Sequence, residues 1–134
     1  KTMLQNEIDK LKVKNVIIKN PVSRSELRDI YNNADYLLIH LNNYSAFKKV
    51  LPSKIFELAT FPKTILAGVN GYSANFINKE VSDSYVFNPC DISALVSFLK
   101  TNKQPDHIDR DRFKTKFDRS LINNQFSSQI LKYL

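Results

Sequence analysis

The stretch VLPSKIFELAT, near the middle of the chain, crowds three reactive side chains together: the hydroxyl of Ser53, the ammonium of Lys54 and the carboxylate of Glu57. Pro52 suits the first position of a helix, because its fixed φ matches the helix and its missing N–H needs no partner there. Leu51, in the capping position before that proline, offers no side-chain oxygen to the free amides, which would run from Ser53 to Ile55. An anion such as phosphate would bind there, since backbone donors and the helix dipole both favour negative charge.

Lys54 and Glu57 are spaced so that a helix places both on one face. Lys54 would then hold a diphosphate, while the Glu57 carboxylate would accept two hydrogen bonds from a vicinal diol such as a ribose. The alternative is an ordinary surface ion pair, which contributes about 0.2–0.5 kcal/mol to a helix. The chain contains neither of the familiar glycine-rich phosphate loops, since Gly68 and Gly71 are its only glycines.

The composition predicts a soluble, basic, globular domain. The chain has 134 residues, of which 43% are hydrophobic and 25% charged, with a formal net charge of +7. Such charge favours anionic partners, for example nucleotides or acidic membranes. Nucleic acid is disfavoured, because the 20 Lys and Arg are scattered and never gather beside an aromatic stacking platform. Cys90 is the only cysteine, which excludes an internal disulfide and favours the cytoplasm.

Helical and strand patterns alternate along the chain. Residues 2–12 have the apolar spacing of a helix, residues 15–19 that of a short strand, and Ser23 with Glu26 forms a capping box that opens the next helix. The run YLLIHL over 36–41 lacks the alternation of a half-exposed strand and predicts a strand buried on both faces.

Two more strands are predicted, over 64–67 and 85–87, and Asp91 is the expected N-cap of the helix that follows them. This alternation predicts an α/β fold, with a parallel sheet and helices on both faces. Ligands in such folds bind at the carboxyl ends of the strands. The loop that leads to Pro52 follows the strand predicted over 36–41, so it begins at the carboxyl end of that strand.

The pattern changes after Pro105. Residues 106–116 are densely charged and are expected to form a solvated face. A final helix carries four apolar residues on one side, Ile122, Phe126, Ile130 and Tyr133. We expect a single domain over 1–134 in which the helices of 106–134 pack on a partner domain. Because the chain starts at Lys1 without an initiating Met, we also expect it to be a fragment of a longer protein.

Three segments in this order, NVIIKNPVSRSELRDIYNNADYLLIHL, AFKKVLPSKIFELATFPKTILAGVNGYSANFI and YVFNPCDISAL, carry a family resemblance. Together they cover roughly residues 13–100, and they resemble the C-terminal half of family 4 retaining glycosyltransferases of the GT-B fold. The phrase VLPSKIFE is especially similar to the N-acetylaminosugar transferases of bacterial surface polysaccharides. The resemblance implies a Rossmann-like, three-layer αβα domain with a parallel sheet.

In that family this half binds the nucleotide of the sugar donor, commonly UDP, and the resemblance implies the same here. Glu57 would hold the ribose, Ser53 and Lys54 would contact the diphosphate, and Val22 would lie beside the base. Lys54 and Glu57 would be the catalytic residues.

The resemblance also implies contacts to the sugar and its phosphate. Phe47, Lys48 and Lys49 would face the donor sugar. Gly71 and Tyr72 would lie near the sugar phosphate. Lys49 departs from the family, which has a glutamate at that position. No metal and no cofactor is implied, since the nucleotide sugar is the substrate, and His40 and His107 have no acidic or cysteine neighbours at ligand spacing.

The activity implied is transfer of a sugar, with retention, from a nucleotide diphosphate to a polysaccharide or lipid-linked precursor. Catalysis would require an N-terminal acceptor-binding domain that this sequence lacks, so the chain alone would be inactive. A peripheral site at the anionic inner membrane face fits the net charge of +7. Two alternatives stay open: a non-catalytic βαβ interaction domain, and a GT-B nucleotide-sugar epimerase.

Overall fold

A parallel sheet of three strands organises the chain. The computed structural model describes residues 2–133. The strands pair in the order β1, β2, β3, where β1 is Tyr36–His40, β2 is Thr64–Gly68 and β3 is Ser84–Phe87. In this register His40 lies opposite Gly68, which lies opposite Phe87. The carboxyl ends of all three strands therefore meet at one edge of the sheet.

Helices separate the strands along the chain. They are α1 (Thr2–Lys10), α2 (Arg24–Asn33), α3 (Lys54–Leu58), α4 (Gly71–Glu80), α5 (Ile92–Thr101), α6 (Asp111–Lys116) and α7 (Arg119–Ile130), with 3₁₀ turns at Ser45–Lys49 and Leu131–Tyr133. The mixed α/β class with a parallel sheet is confirmed, and it is compatible with a Rossmann-like fold. No helix within the described residues is both long and apolar enough to cross a membrane.

The chain divides into two compact units, the first ending at Ile30 and the second beginning at Tyr31. In the first unit α2 has the cap expected of it, because the Glu26 amide donates to Ser23 Oγ at 3.2 Å. The sheet, α3 and all later elements belong to the second unit. The expectation of a single domain over 1–134 stays a prediction.

The strand expected over 15–19 does not form. That segment has no regular secondary structure, and Ile17 is 84% exposed. A strand needs a neighbouring strand for its ladder of hydrogen bonds. The sheet of the described chain consists of β1, β2 and β3, none of which pairs with this segment.

β1 is buried on one face, and not on both as its apolar run predicted. Leu37 and Ile39 are buried in the core, whereas Leu38 is 57% exposed and His40 is exposed. The buried pair packs in a cluster with the apolar residues of α3. Because β1 is an edge strand, the elements packed on it decide which side is covered, and the local sequence does not show this.

One apolar core joins the sheet to α3, α4 and α6. Its buried members are Leu37, Ile39, Ile55, Leu58, Ala59, Ile65, Ala67, Val69, Ile77, Val81 and Phe113. All eleven belong to the second unit, and this core fixes the loops that leave the carboxyl ends of the strands.

The charged segment 106–116 is not a solvated face throughout, which corrects that prediction. Ile108, Arg110 and Phe113 are buried in it. Phe113 projects from α6 into an aromatic cluster, with its ring centroid 4.7 Å from that of Phe117 and 6.2 Å from that of Phe56.

Arg110 is buried because its guanidinium is surrounded by oxygens of the chain. It donates to the carbonyl of Phe61 at 3.3 Å, to that of Lys63 at 2.7 Å, and to both the carbonyl and the hydroxyl of Ser82. Burial lowers the pKa of the Arg110 guanidinium, while the Asp83 carboxylate acts in the opposite direction. The group remains protonated at neutral pH, and it fastens the segment to the loops that precede β2 and β3.

The apolar side of α7 is exposed along its whole length. It consists of Ile122, Phe126 and Ile130, continued by Tyr133 in the 3₁₀ turn. Its packing on a partner domain stays a prediction.

Candidate functional site

The loops that follow β1 and β2 meet at the carboxyl edge of the sheet. Gly71, the first residue of α4, has a φ of +61° and touches the backbone of Lys48. A Cβ on Gly71 would lie 2.8 Å from Lys48 Cα, and closer still to its carbonyl oxygen. Beside this contact, the Asn70 side-chain amide donates to Asn43 Oδ1 at 3.5 Å. Two residues predicted near the donor sugar and its phosphate are therefore neighbours.

We expect Gly71→Ala to lower the free energy of unfolding by about 2 kcal/mol, since a Cβ there meets both the strain of a positive φ and the Lys48 backbone. Urea unfolding measures the change. Tyr72→Ala, at the exposed next position of the same helix, is the control and should stay within about 0.5 kcal/mol of the wild type. A Gly71→Ala variant as stable as this control would contradict the described meeting of the two loops.

The 3₁₀ turn after β1 presents two of the predicted cations. Lys48 and Lys49 are exposed at its end, whereas Phe47 is half-buried with its ring centroid 5.7 Å from that of Tyr44. The backbone just beyond the turn is fixed, because the fully buried Ser73 of α4 donates its hydroxyl proton to the Val50 carbonyl. The backbone that carries these two exposed lysines is thus held at the sheet edge.

α3 begins at Lys54, two residues later than the helix predicted from Pro52. The Ile55 amide donates to the Pro52 carbonyl at 3.1 Å, so one amide expected to be free is satisfied. Among the described residues, the amides of Ser53 and Lys54 make no hydrogen bond. Because α3 has only five residues, its dipole is small, and the Lys54 side chain is the main positive charge at this end.

Lys54 and Glu57 form an ion pair on the surface of α3. Lys54 Nζ lies 2.8 Å from Glu57 Oε2, and 5.3 Å from the centroid of the Tyr31 ring. The hydrogen bond to Glu57 and then the one to Tyr31 raise the pKa of Lys54, which keeps its charge at neutral pH. The side chains are 48% and 44% exposed, so a ligand in solvent can reach both.

This ion pair also agrees with the alternative interpretation of the spacing, an ordinary surface pair that binds no ligand. The bond to Lys54 engages Oε2 of Glu57, and within residues 2–133 no partner is bonded to Oε1. A ligand carrying both a phosphate and a diol could therefore bind by replacing one surface contact.

The predicted site residues fall into two groups in the second unit. The turn and α4 bring together Phe47, Lys48, Lys49, Gly71 and Tyr72. The start of α3 brings together Ser53, Lys54 and Glu57. In the described part of the chain, no hydrogen bond or ion pair links one group to the other. Val22 belongs to the first unit, where it is half-buried just before α2, and its place beside the base stays a prediction.

A cleft of about 460 Å³ opens at the carboxyl ends of β2 and β3. It is lined by Val69, Asn70, Gly71, Ala74, Tyr85, Val86, Phe87, Asn88, Asp91 and Ala94. Asn88 and Asp91 were not predicted as site residues, although their position directly after a strand could have indicated them. Gly71 is shared by the cleft and by the junction with Lys48.

His40 joins this edge to the turn between β3 and α5. Its Nε2 accepts a hydrogen bond from the Cys90 amide at 3.0 Å. The ring passes beside Gly68, where a Cβ would collide with it. His40 therefore has a structural partner. No group of three or more His, Cys, Asp and Glu side chains that could hold a metal occurs within the described residues.

Comparison of the chain with protein-family models, with curated proteins and with solved structures gives no match. A functional assignment therefore has to stand on the residues of this chain and on the order of its motifs.

Proposed function

We propose that this chain is the donor-binding half of a GT-B glycosyltransferase that transfers a sugar from a nucleotide diphosphate, with UDP as the expected nucleotide. The observation that carries the proposal is the reachable Lys54 and Glu57 pair on the helix that follows β1 of a parallel sheet. Ligands of such sheets bind at that edge. The order of motifs over residues 13–100 supports the same assignment. The assignment includes a three-layer αβα arrangement of the domain.

In this proposal the diphosphate binds where positive charge and free donors coincide. Lys54 contributes a full charge beside the amides of Ser53 and Lys54, which have no hydrogen-bond partner within residues 2–133. Lys48 and Lys49 add two exposed charges on the neighbouring turn. Fixed cations that stabilise the negative charge developing on a leaving diphosphate lower the barrier to its departure.

Glu57 binds the ribose. An ionised carboxylate offers only acceptors, and its two oxygens match the two hydroxyl donors of a vicinal diol. Binding then moves the Lys54 ammonium from Glu57 Oε2 to the phosphate. Because the surface pair is half-exposed, its loss costs little, about 0–1 kcal/mol.

In this proposal the complete reaction requires a second domain that binds the acceptor. The acceptor is a polysaccharide or lipid-linked precursor, and a peripheral position at an anionic membrane face fits the charge of +7. No metal enters this mechanism, because the lysines supply the positive charge.

The test is UDP affinity, measured by NMR titration into the millimolar range. We expect Glu57→Ala and Lys54→Ala each to weaken binding by about tenfold or more, the loss typical of a hydrogen bond to a charged group. The chain offers a matched control, because Lys114 and Asp111 form an exposed pair of the same spacing on α6, 3.2 Å apart. Lys114→Ala should leave the affinity unchanged. Equal effects at Lys54 and Lys114 would contradict the proposal.

A further inference from the structure

The cleft at the carboxyl ends of β2 and β3 differs in charge from the rest of the chain. The chain carries a net charge of +7, yet the described residues that line the cleft include neither lysine nor arginine, and Asp91 is the only carboxylate among them. The backbone of Lys48, whose side chain is exposed, meets Gly71 at the rim. A carboxylate without a cation repels phosphate, so the cleft suits a neutral group whereas its rim suits an anionic one.

Three polar side chains in the lining have unused hydrogen-bonding capacity. Asp91 accepts from the Ala94 amide at Oδ1, 2.9 Å away, which leaves Oδ2 available. Asn70 uses its side-chain N–H₂ on Asn43, which leaves its carbonyl oxygen. No partner of the Asn88 side chain occurs in the described part of the chain. A ligand rich in hydroxyl groups satisfies such a mixture of acceptors and amide donors.

The remaining lining is apolar and rigid. Val69 and Phe87 are buried, and the Tyr85 ring stacks on Phe98 with centroids 4.1 Å apart. The Tyr85 hydroxyl is bonded to the Ala94 carbonyl at 3.4 Å, which fixes that wall. Apolar walls with a few fixed polar groups are typical of small-molecule sites, whose volumes run from about 300 to 1,000 Å³.

We propose that this cleft binds a neutral, hydroxyl-rich sugar ring, which Asn70, Asn88 and Asp91 hold by hydrogen bonds. This inference rests on the proposed function, so the ring is the sugar of the nucleotide donor. Gly71 then lies between that sugar and a diphosphate at Lys48. A sugar of the acceptor shares this chemistry, and the experiment separates the two sources.

The experiment is an NMR titration of the whole chain with UDP, with UDP-N-acetylglucosamine and with free N-acetylglucosamine. We expect the nucleotide sugar to shift the amides of residues 88–94, and UDP alone not to shift them. Asn88→Ala should weaken UDP-N-acetylglucosamine by about three- to tenfold, the loss of one or two hydrogen bonds, and leave UDP unaffected.

Asp91 needs a variant that preserves the helix. Asp91→Asn keeps the cap of α5, because asparagine caps as well as aspartate. Asp91→Asn should still weaken binding of the nucleotide sugar, because an amide N–H₂ replaces the free carboxylate oxygen that accepts from a hydroxyl. Asp118→Asn is the matched control, since Asp118 caps α7 through Leu121 N at 2.8 Å and lies outside the cleft lining.

The outcomes separate the two proposals. If UDP binds and its sugar adds no shift at residues 88–94, the sugar site is wrong and the nucleotide site stands. If free N-acetylglucosamine shifts those amides and UDP shifts nothing, the cleft is a sugar site and the donor assignment fails. If no compound shifts any of these amides at millimolar concentration, both proposals fail.

Discussion

Replacing Arg110 by methionine is expected to lower the free energy of unfolding by about 3–5 kcal/mol. Methionine fills a similar volume but leaves the carbonyls of Lys63 and Ser82 without their buried donor, and each unsatisfied group costs about 1–3 kcal/mol. The Phe61 carbonyl also loses Arg110 but keeps its bond from the Lys63 amide. Denaturant unfolding followed by circular dichroism measures the loss.

Arg112→Met is the control for this prediction, because Arg112 is exposed two residues further along and should change stability by no more than about 0.5 kcal/mol. Arg110→Lys should fall between the two, since an ammonium reaches some of these oxygens but lacks the fork of donors. If Arg110→Met proved as stable as Arg112→Met, the segment 106–116 would be a solvated face after all.

Phe113→Ala is expected to cost about 3–5 kcal/mol, the usual range for removing a buried phenylalanine. Phe113 is 4% exposed and links α6 to the rings of Phe56 and Phe117. The same unfolding measurement applies. Should this variant fail to fold, the milder Phe113→Leu should still lower the urea midpoint.

Phe126→Ala is its control, since Phe126 lies 64% exposed on α7 and loses little contact. We expect a change within about 0.5 kcal/mol there. An equal loss at both positions would mean that α7 is packed as firmly as α6, contrary to the described burial.

The second unit was largely predictable, because its signals are local. The three strands from residue 36 onward fall where apolar runs predicted them, and each begins or ends within a residue or two of the expected position. Asp91 caps α5 as expected, with its carboxylate on the Ala94 amide. Caps and short apolar runs need only neighbours in sequence, so the sequence carries the information.

The predictions that proved wrong are those that depend on a contact between residues distant in sequence. The segment over 15–19 has the composition of a strand, but a strand forms only beside another strand. Arg110 resembles its exposed charged neighbours, and only the carbonyls of residues some 28 to 49 positions away make its burial possible. Single-sided burial of β1 likewise depends on what packs against it.

Only part of the geometry around the predicted site residues could be predicted from the sequence. The spacing of Lys54 and Glu57 correctly placed both on one helical face. Glycine at position 71 could be recognised, but its contact with Lys48 depends on how two loops meet. The cleft beside Asn88 was missed, since its polar groups come from two separate segments, the loops after β2 and β3.

An amide chemical-shift map of the chain with UDP shows whether the turn after β1 and the start of α3 form a nucleotide site. We expect the largest shifts over residues 48–57 and at Gly71, with weaker shifts from GDP and ADP. If UDP at millimolar concentration moves none of these amides, the Lys54 and Glu57 pair is an ordinary surface contact and the account is wrong.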